Sequence, residues 1–188
     1  MTLAREMIEL LLQTARIMEA QASEHDLRAP EWMALRFLAR ANKISRTPSA
    51  LADALALTRA TTSQIIKLLE DKAFLTRQRS ESDGRSVLLR VTRKGERVLA
   101  DDPLGKVLTI VDELDPDEQA TIGQALRRAL TSPALNHGQP RVNVCRDCFF
   151  LGRNNARSDT EEFTCHLTSA TLDAADIDLR CVFFQAPR

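Results

Sequence analysis

Apolar residues near the start of the chain recur at helical spacing: Leu3, Met7, Ile8, Leu11, Leu12, Ala15, Met18 and Ala22. Positions three and four apart share one helix face, so this pattern predicts a long first helix with Thr2 as its cap. A small domain offers little surface for so wide a stripe. Dimerisation is the natural outlet, with packing on later helices the plainer alternative. The polar stretch 23–28 breaks the pattern, and Pro30, tolerated in a first turn, opens a second helix with Trp32, Leu35 and Leu38 on one face. Trp32 reads as core rather than as a ligand contact. A loop over 41–46 leads to a short helix over about 48–56, with Leu51, Ala52 and Leu55 on its buried side and Thr47 or Ser49 as cap.

Thr58 is a good cap for the next helix, 59–72, in which Thr62, Ile65, Ile66, Leu68 and Leu69 face inward. Arg59, Ala60, Thr61, Ser63, Gln64 and Lys67 are left outside. Two strand patterns follow, 74–79 and 86–91, joined by a polar tip with Asp83-Gly84 turn chemistry. Residues 96–100 continue as helix until Asp102-Pro103 interrupts it. Leu104, Val107, Leu108, Ile110, Val111 and Leu114 then resume an apolar helix. A last helix starts with Asp115 as cap, Pro116 in the first turn and Glu118 as capping-box partner; Ile122, Leu126 and Leu130 line it.

A short helix, a tight turn, a second helix with a small polar face and then a basic hairpin make a winged helix-turn-helix. The expected fold is mainly α with a small β-wing, long terminal dimerisation helices and a small cysteine-rich tail. A helix reads the major groove only if its backbone approaches the base edges closely. Thr61, Ser63 and Gln64 are short enough for that and hydrogen-bond bases or phosphates, while Arg59 and Lys67 take phosphates at the two ends. Arg77 on the first strand joins this basic set. Arg85 at the wing tip suits a narrow minor groove, with Asp83 holding its guanidinium. The plainer alternatives are a solvated helix face and a surface Asp–Arg pair.

Net charge is zero, which conceals an uneven distribution: residues 42–99 hold twelve Lys/Arg against six Asp/Glu. That segment is a usable phosphate footprint on a neutral chain. No apolar run approaches the roughly 18–20 residues of a membrane helix. The start carries Arg5, Glu6, Glu9 and Arg16 through its apolar pattern and does not read as a secretory signal. A cytoplasmic protein without membrane contact is expected. No Gly-rich phosphate loop and no Ser–His–Asp set is evident, so an enzyme is not expected.

Leu57-Thr58, the Asp83-Gly84-Arg85 tip and Val91-Thr92-Arg93-Lys94-Gly95 fall in the order of a family pattern. The stretch resembles the MarR family of bacterial transcription regulators, over roughly residues 1–131. It departs in Val91, usually Leu, and in Gly84, where a second basic residue is common. The resemblance implies a homodimer on a pseudo-palindromic operator in double-stranded DNA, with recognition helices in major grooves and wings in flanking minor grooves. It also implies that the first and last helices interlock as the dimer interface.

Residues 132–140 read as a linker with two prolines and a glycine, followed by a module over 141–188 that holds all four cysteines: Cys145, Cys148, Cys165 and Cys181. In a cytosolic chain, Cys-x2-Cys with two further cysteines points to metal more than to disulfide. Four thiolates close a tetrahedral zinc site or hold a 4Fe–4S cluster, and a dithiol/disulfide switch is a third reading. One close pair, then two lone cysteines with aromatics beside them, resembles high-potential iron–sulfur proteins. Phe149, Phe150, Phe163, Phe183 and Phe184 would wall such a cluster. His166 beside Cys165 reads as a surface or core histidine, and His25 and His137 have no partner spacing.

The expectation is a DNA-binding regulator, a repressor by preference, whose operator affinity is tuned by a cysteine-bound 4Fe–4S or metal centre sensing redox state or iron. The main alternative is a regulator responding to a small-molecule effector, with a purely structural zinc. A redox protein using the winged helix for docking ranks behind both.

Overall fold

The computed structural model describes residues 2–21, 26–79, 87–132, 142–154 and 162–187. Its first core is built around helix α2 (Ala29–Arg40). Pro30 sits in the first turn, and the Glu31 carboxylate accepts the Arg28 backbone N–H at 3.0 Å, closing the helix start. Trp32, Leu35 and Leu38 are fully buried, as their spacing predicts. Against them pack α3 (Pro48–Leu55) and α4 (Arg59–Asp71), each begun by a threonine. Thr47 Oγ1 accepts from Ala50 N at 3.2 Å, and Thr58 Oγ1 from Thr61 N at 3.1 Å. Thr62, Ile65, Ile66 and Leu69 of α4 are buried, but Leu68 is 43% exposed. Three residues beyond Ile65 and one before Leu69, Leu68 falls at the edge of the buried stripe rather than within it.

Strands β1 (Leu75–Arg79) and β2 (Val87–Val91) form an antiparallel hairpin, with Leu75 opposite Val91 and Arg79 opposite Val87. Leu75 and Leu89 anchor it in the core. Thr92 then caps α5 (Arg93–Ala100), its hydroxyl accepting from Gly95 N. A side chain at Gly95 would meet Phe74 O at 2.5 Å and Val91 Cγ1 at 2.8 Å, so the helix leaves the wing at a distance only glycine permits. The break at Asp102-Pro103 is real and does a second job. Asp102 accepts two bonds from the Arg36 guanidinium, at 2.7 and 2.5 Å, locking the break onto α2.

Helices α1 (Leu3–Gln21), α6 (Leu104–Asp112) and α7 (Pro116–Thr131) stand away from this core. Asp115 and Glu118 form the capping box expected at the start of α7. Their apolar stripes are open to solvent in the single chain, with Ile8, Leu11 and Leu12 of α1, Ile110 of α6 and Leu126 of α7 all exposed.

The cysteine segment is a second small unit. Strand β3 (Asn143–Val144) pairs with β7 (Arg180–Cys181), and β4 (Leu151–Asn154), β5 (Glu162–Cys165) and β6 (Ala170–Leu172) form a three-stranded antiparallel sheet. A short helix, α8 (Ala174–Ile177), closes one side. The unit does not merely trail from α7. Its β7 lies against the turn after α2: Asn42 N donates to Arg180 O at 2.9 Å, and Ala41 bridges Arg180 in parallel. Val142 packs on the first core and Ile44 on the second.

Candidate nucleic-acid interface and cysteine cluster

The outer face of α4 is set by its inner one. Because Thr62, Ile65, Ile66 and Leu69 are buried, Arg59, Thr61, Ser63, Gln64 and Lys67 are turned to solvent, and all five are exposed. Thr61 is also tied to the cap, its hydroxyl 2.9 Å from that of Thr58, which orients the first turn. The face is short, polar and flanked by cations, as major-groove reading requires. Arg77 on β1 is engaged with Glu70 of α4 at 3.0 Å and remains half exposed. That pair fixes the hairpin against the C-terminal end of α4 and limits Arg77 as a free phosphate ligand. Asp83 and Arg85 lie outside the described residues.

In the tail, all four cysteines are free thiols and buried. A short 3-10 turn over Cys145–Asp147 brings Cys148 round, with Cys148 N donating to Cys145 O at 2.9 Å. Cys165 ends β5, and Cys181 ends β7 opposite Asn143. Cys145 and Cys181 perturb one another's pKa. Cys181 is pulled down to about 6 by the Cys145 thiol and, against the opposing effect of burial, by Ser45, the Phe183 backbone and Asn42. Cys145 is pushed up by Cys181, with burial and the charges of Cys148 and Cys165 adding to the shift. Asn42 Nδ2 also donates to Cys145 Sγ at 3.6 Å, and Gln185 N to Cys148 Sγ at 3.5 Å. Cys148 borders an open cavity of about 360 Å³ together with Arg146, Arg153, Phe163 and Asp178.

Among the described residues, no three or more His, Cys, Asp or Glu side chains form a ready metal-holding group. All four sulfurs are buried, and those of Cys145 and Cys148 accept N–H donors. The aromatic wall is thinner than the sequence suggests. Phe163 is buried in the cluster and Phe150 packs on it, but Phe149 is 54% and Phe183 38% exposed. Phe149 instead stacks edge-on against Phe150. His166 is exposed, its ring lying over Gly152, while His25 and His137 fall outside the described residues.

The sequence profile of the MarR family matches residues 25–86, the stretch from the start of α2 to the wing. Over these residues the chain is similar to the MarR family. Solved structures agree on the fold of the MarR-type part. A mutant of S. aureus MepR superposes with a TM-score of 0.55 at 19% identity, over 70% of this chain and 98% of that one. S. pneumoniae FabT in complex with DNA gives 0.54 at 25% identity, over 67% and 91%. Apo E. coli MarR gives 0.51 at 22% identity, over 69% and 98%. No curated protein matches by sequence. These structures are covered almost end to end while about three-tenths of this chain is left over, a share equal to that of the residues after α7.

Among the described residues, no helix is long and apolar enough to cross a membrane. Sequence reasoning separated the exposed face of α4 from its buried one, and it grouped the cysteines. It missed Asn42 and Ser45, which sit in the turn after α2, far from any cysteine in the chain. No sequence signal named them; the structure does, since both are polar yet fully buried, and buried polar side chains are kept where they have partners.

Proposed function

We propose that the protein is a dimeric transcription regulator that binds a pseudo-palindromic operator through α4 and the wing. One observation carries the reading: the exposed Thr61, Ser63 and Gln64 face, flanked by Arg59 and Lys67, on the second helix of a MarR-type helix-turn-helix. The DNA-bound FabT neighbour supports it by fold. In this reading Arg85 enters the minor groove with Asp83 beside it. The unpacked stripes of α1, α6 and α7 become the homodimer interface.

The same proposal assigns Cys145, Cys148, Cys165 and Cys181 to a 4Fe–4S cluster, with zinc as the alternative, and makes its state the signal. Four buried sulfurs, of which Cys145 and Cys148 accept N–H donors from Asn42 and Gln185, support this assignment. When bound, the group would supply a redox- or iron-dependent charge that the thiolates hold in place. Cys148, beside the cavity, is the ligand that small oxidants reach first. Burial of the tail against the winged helix also favours one second reading, a structural zinc that staples the tail while a small-molecule effector sets DNA affinity.

The test begins with protein purified without oxygen. Brown colour with iron and sulfide supports the cluster, whereas a colourless zinc protein supports the staple. An operator is selected from a random duplex pool and its affinity compared between loaded, oxidised and all-Ser cysteine protein. Equal affinity in every state sinks the sensor, and failure to select any duplex sinks the regulator.

A further inference from the structure

Five polar side chains are buried among the described residues: Glu31, Asn42, Ser45, Thr62 and Asp176. Glu31 and Thr62 serve their own helices, by the α2 start and by a bond from Thr62 Oγ1 to Thr58 O. The other three meet in one seam between the winged helix and the cysteine unit. Burying a polar group without partners is costly, so a seam of three is a specific, directional joint rather than a greasy contact.

Its bonds run in series. Asn42 Nδ2 donates to Cys145 Sγ, and its Oδ1 accepts from Ser45 N at 3.1 Å, shaping the turn. The Ser45 hydroxyl accepts from Val182 N at 3.1 Å, the backbone group next to Cys181. Asp176 of α8 accepts from Lys43 N and pairs with Lys43 Nζ at 3.0 Å. On the far side of the turn, Arg46 Nε donates to Ala41 O at 2.8 Å, and Arg46 O accepts from Leu89 N at 2.7 Å. Leu89 is the buried anchor of β2, the second wing strand, and Thr47 next to Arg46 caps α3.

We propose that the turn 42–46 is the receiver of the cysteine cluster, through which Asn42 and Ser45 transmit a change at the Cys145 and Cys181 sulfurs to the wing strand at Leu89. A shift of sulfur position or bonding alters the partners of Ser45 and Asn42, and the turn they shape is one residue from the carbonyl that holds Leu89. Asn42 and Ser45 are positioning residues: neither faces DNA. The regulatory meaning of this joint rests on the cysteine site being a sensor, whereas the joint itself is a property of the chain.

The test is amide hydrogen exchange on the full-length reduced protein, read at Leu89 with Ile66 of α4 as the reference for global opening. Cys181→Ala is expected to raise Leu89 exchange about tenfold relative to Ile66, as a local opening does. Ser45→Ala should raise it comparably, and the double variant should show no further rise, because the two act in one chain of bonds. Lys43→Met, which removes the exposed partner of the buried Asp176 without touching a sulfur, loosens the other end of the seam and should give a smaller rise. Leu89 exchange within twofold of wild type in Cys181→Ala, or additive effects in the double variant, overturns the proposal. Binding of the selected operator duplex, by loaded and chelator-stripped wild type, is the separate arm. Equal affinity there removes the sensor reading, while Leu89 still decides whether the joint exists.

Discussion

Two alanines occupy backbone positions that favour glycine. Ala56 after α3 and Ala73 after α4 have φ of 52° and 60°. Each is the left-handed residue of a helix stop: Leu57 N bonds back to Ala52 O, and Phe74 N to Leu69 O. A side chain in this region costs roughly 1–2 kcal/mol, partly offset by the greater unfolded-state freedom of glycine. Ala73→Gly should therefore stabilise the winged helix by about 0.5–1 kcal/mol, visible as a raised midpoint in urea. At Cys181 the prediction concerns pH. Its folded pKa, about 6, lies below the ordinary thiol value of about 8.5. A depressed acid contributes stability that is complete above the unfolded value and is lost as pH falls through the folded one. Metal-free, reduced protein should thus lose tail stability between about pH 8.5 and 6. Thiolate absorbance near 240 nm should titrate in Ser45→Ala at a higher pH than in wild type.

On the scale of the element, the proposed function gives α4 two kinds of DNA contact. Gln64 lies where a base edge would be read, and Lys67 where a phosphate would be held. Gln64→Ala should alter which duplexes are selected, with about 1–3 kcal/mol lost on the best one. Lys67→Ala should weaken all duplexes alike and reduce the slope of log affinity against log salt by about 1. Arg85→Ala should weaken binding strongly without altering the dimer. Unchanged binding in titrations of all three variants excludes α4 and the wing as the interface. The inside of this element was readable from period alone, and Leu68 shows the limit. Periodicity gives the centre of a buried stripe, but its edge depends on where the neighbouring helix ends.

For the whole molecule, the unpacked stripes make the largest prediction. A helix such as α1, with Ile8, Leu11 and Leu12 about half exposed, is not stable on propensity alone and requires a partner surface. Leu11→Glu should convert a dimer to monomer in light scattering and abolish tight operator binding while leaving the α2 core folded. The sequence by itself determined the local elements. Caps at Thr47, Thr58, Thr92 and Asp115, the proline-led starts and the hairpin all depend on neighbours within a few residues, which the chain displays directly. It also put the four cysteines in one segment. Only the tertiary structure decided what that segment touches. Residues 42–46 and 176–182 are far apart in the chain, and neither stretch has a period or motif that names the other. Their pairing is set by the fit of buried hydrogen-bond donors to sulfurs and carbonyls, which exists only once both units have folded.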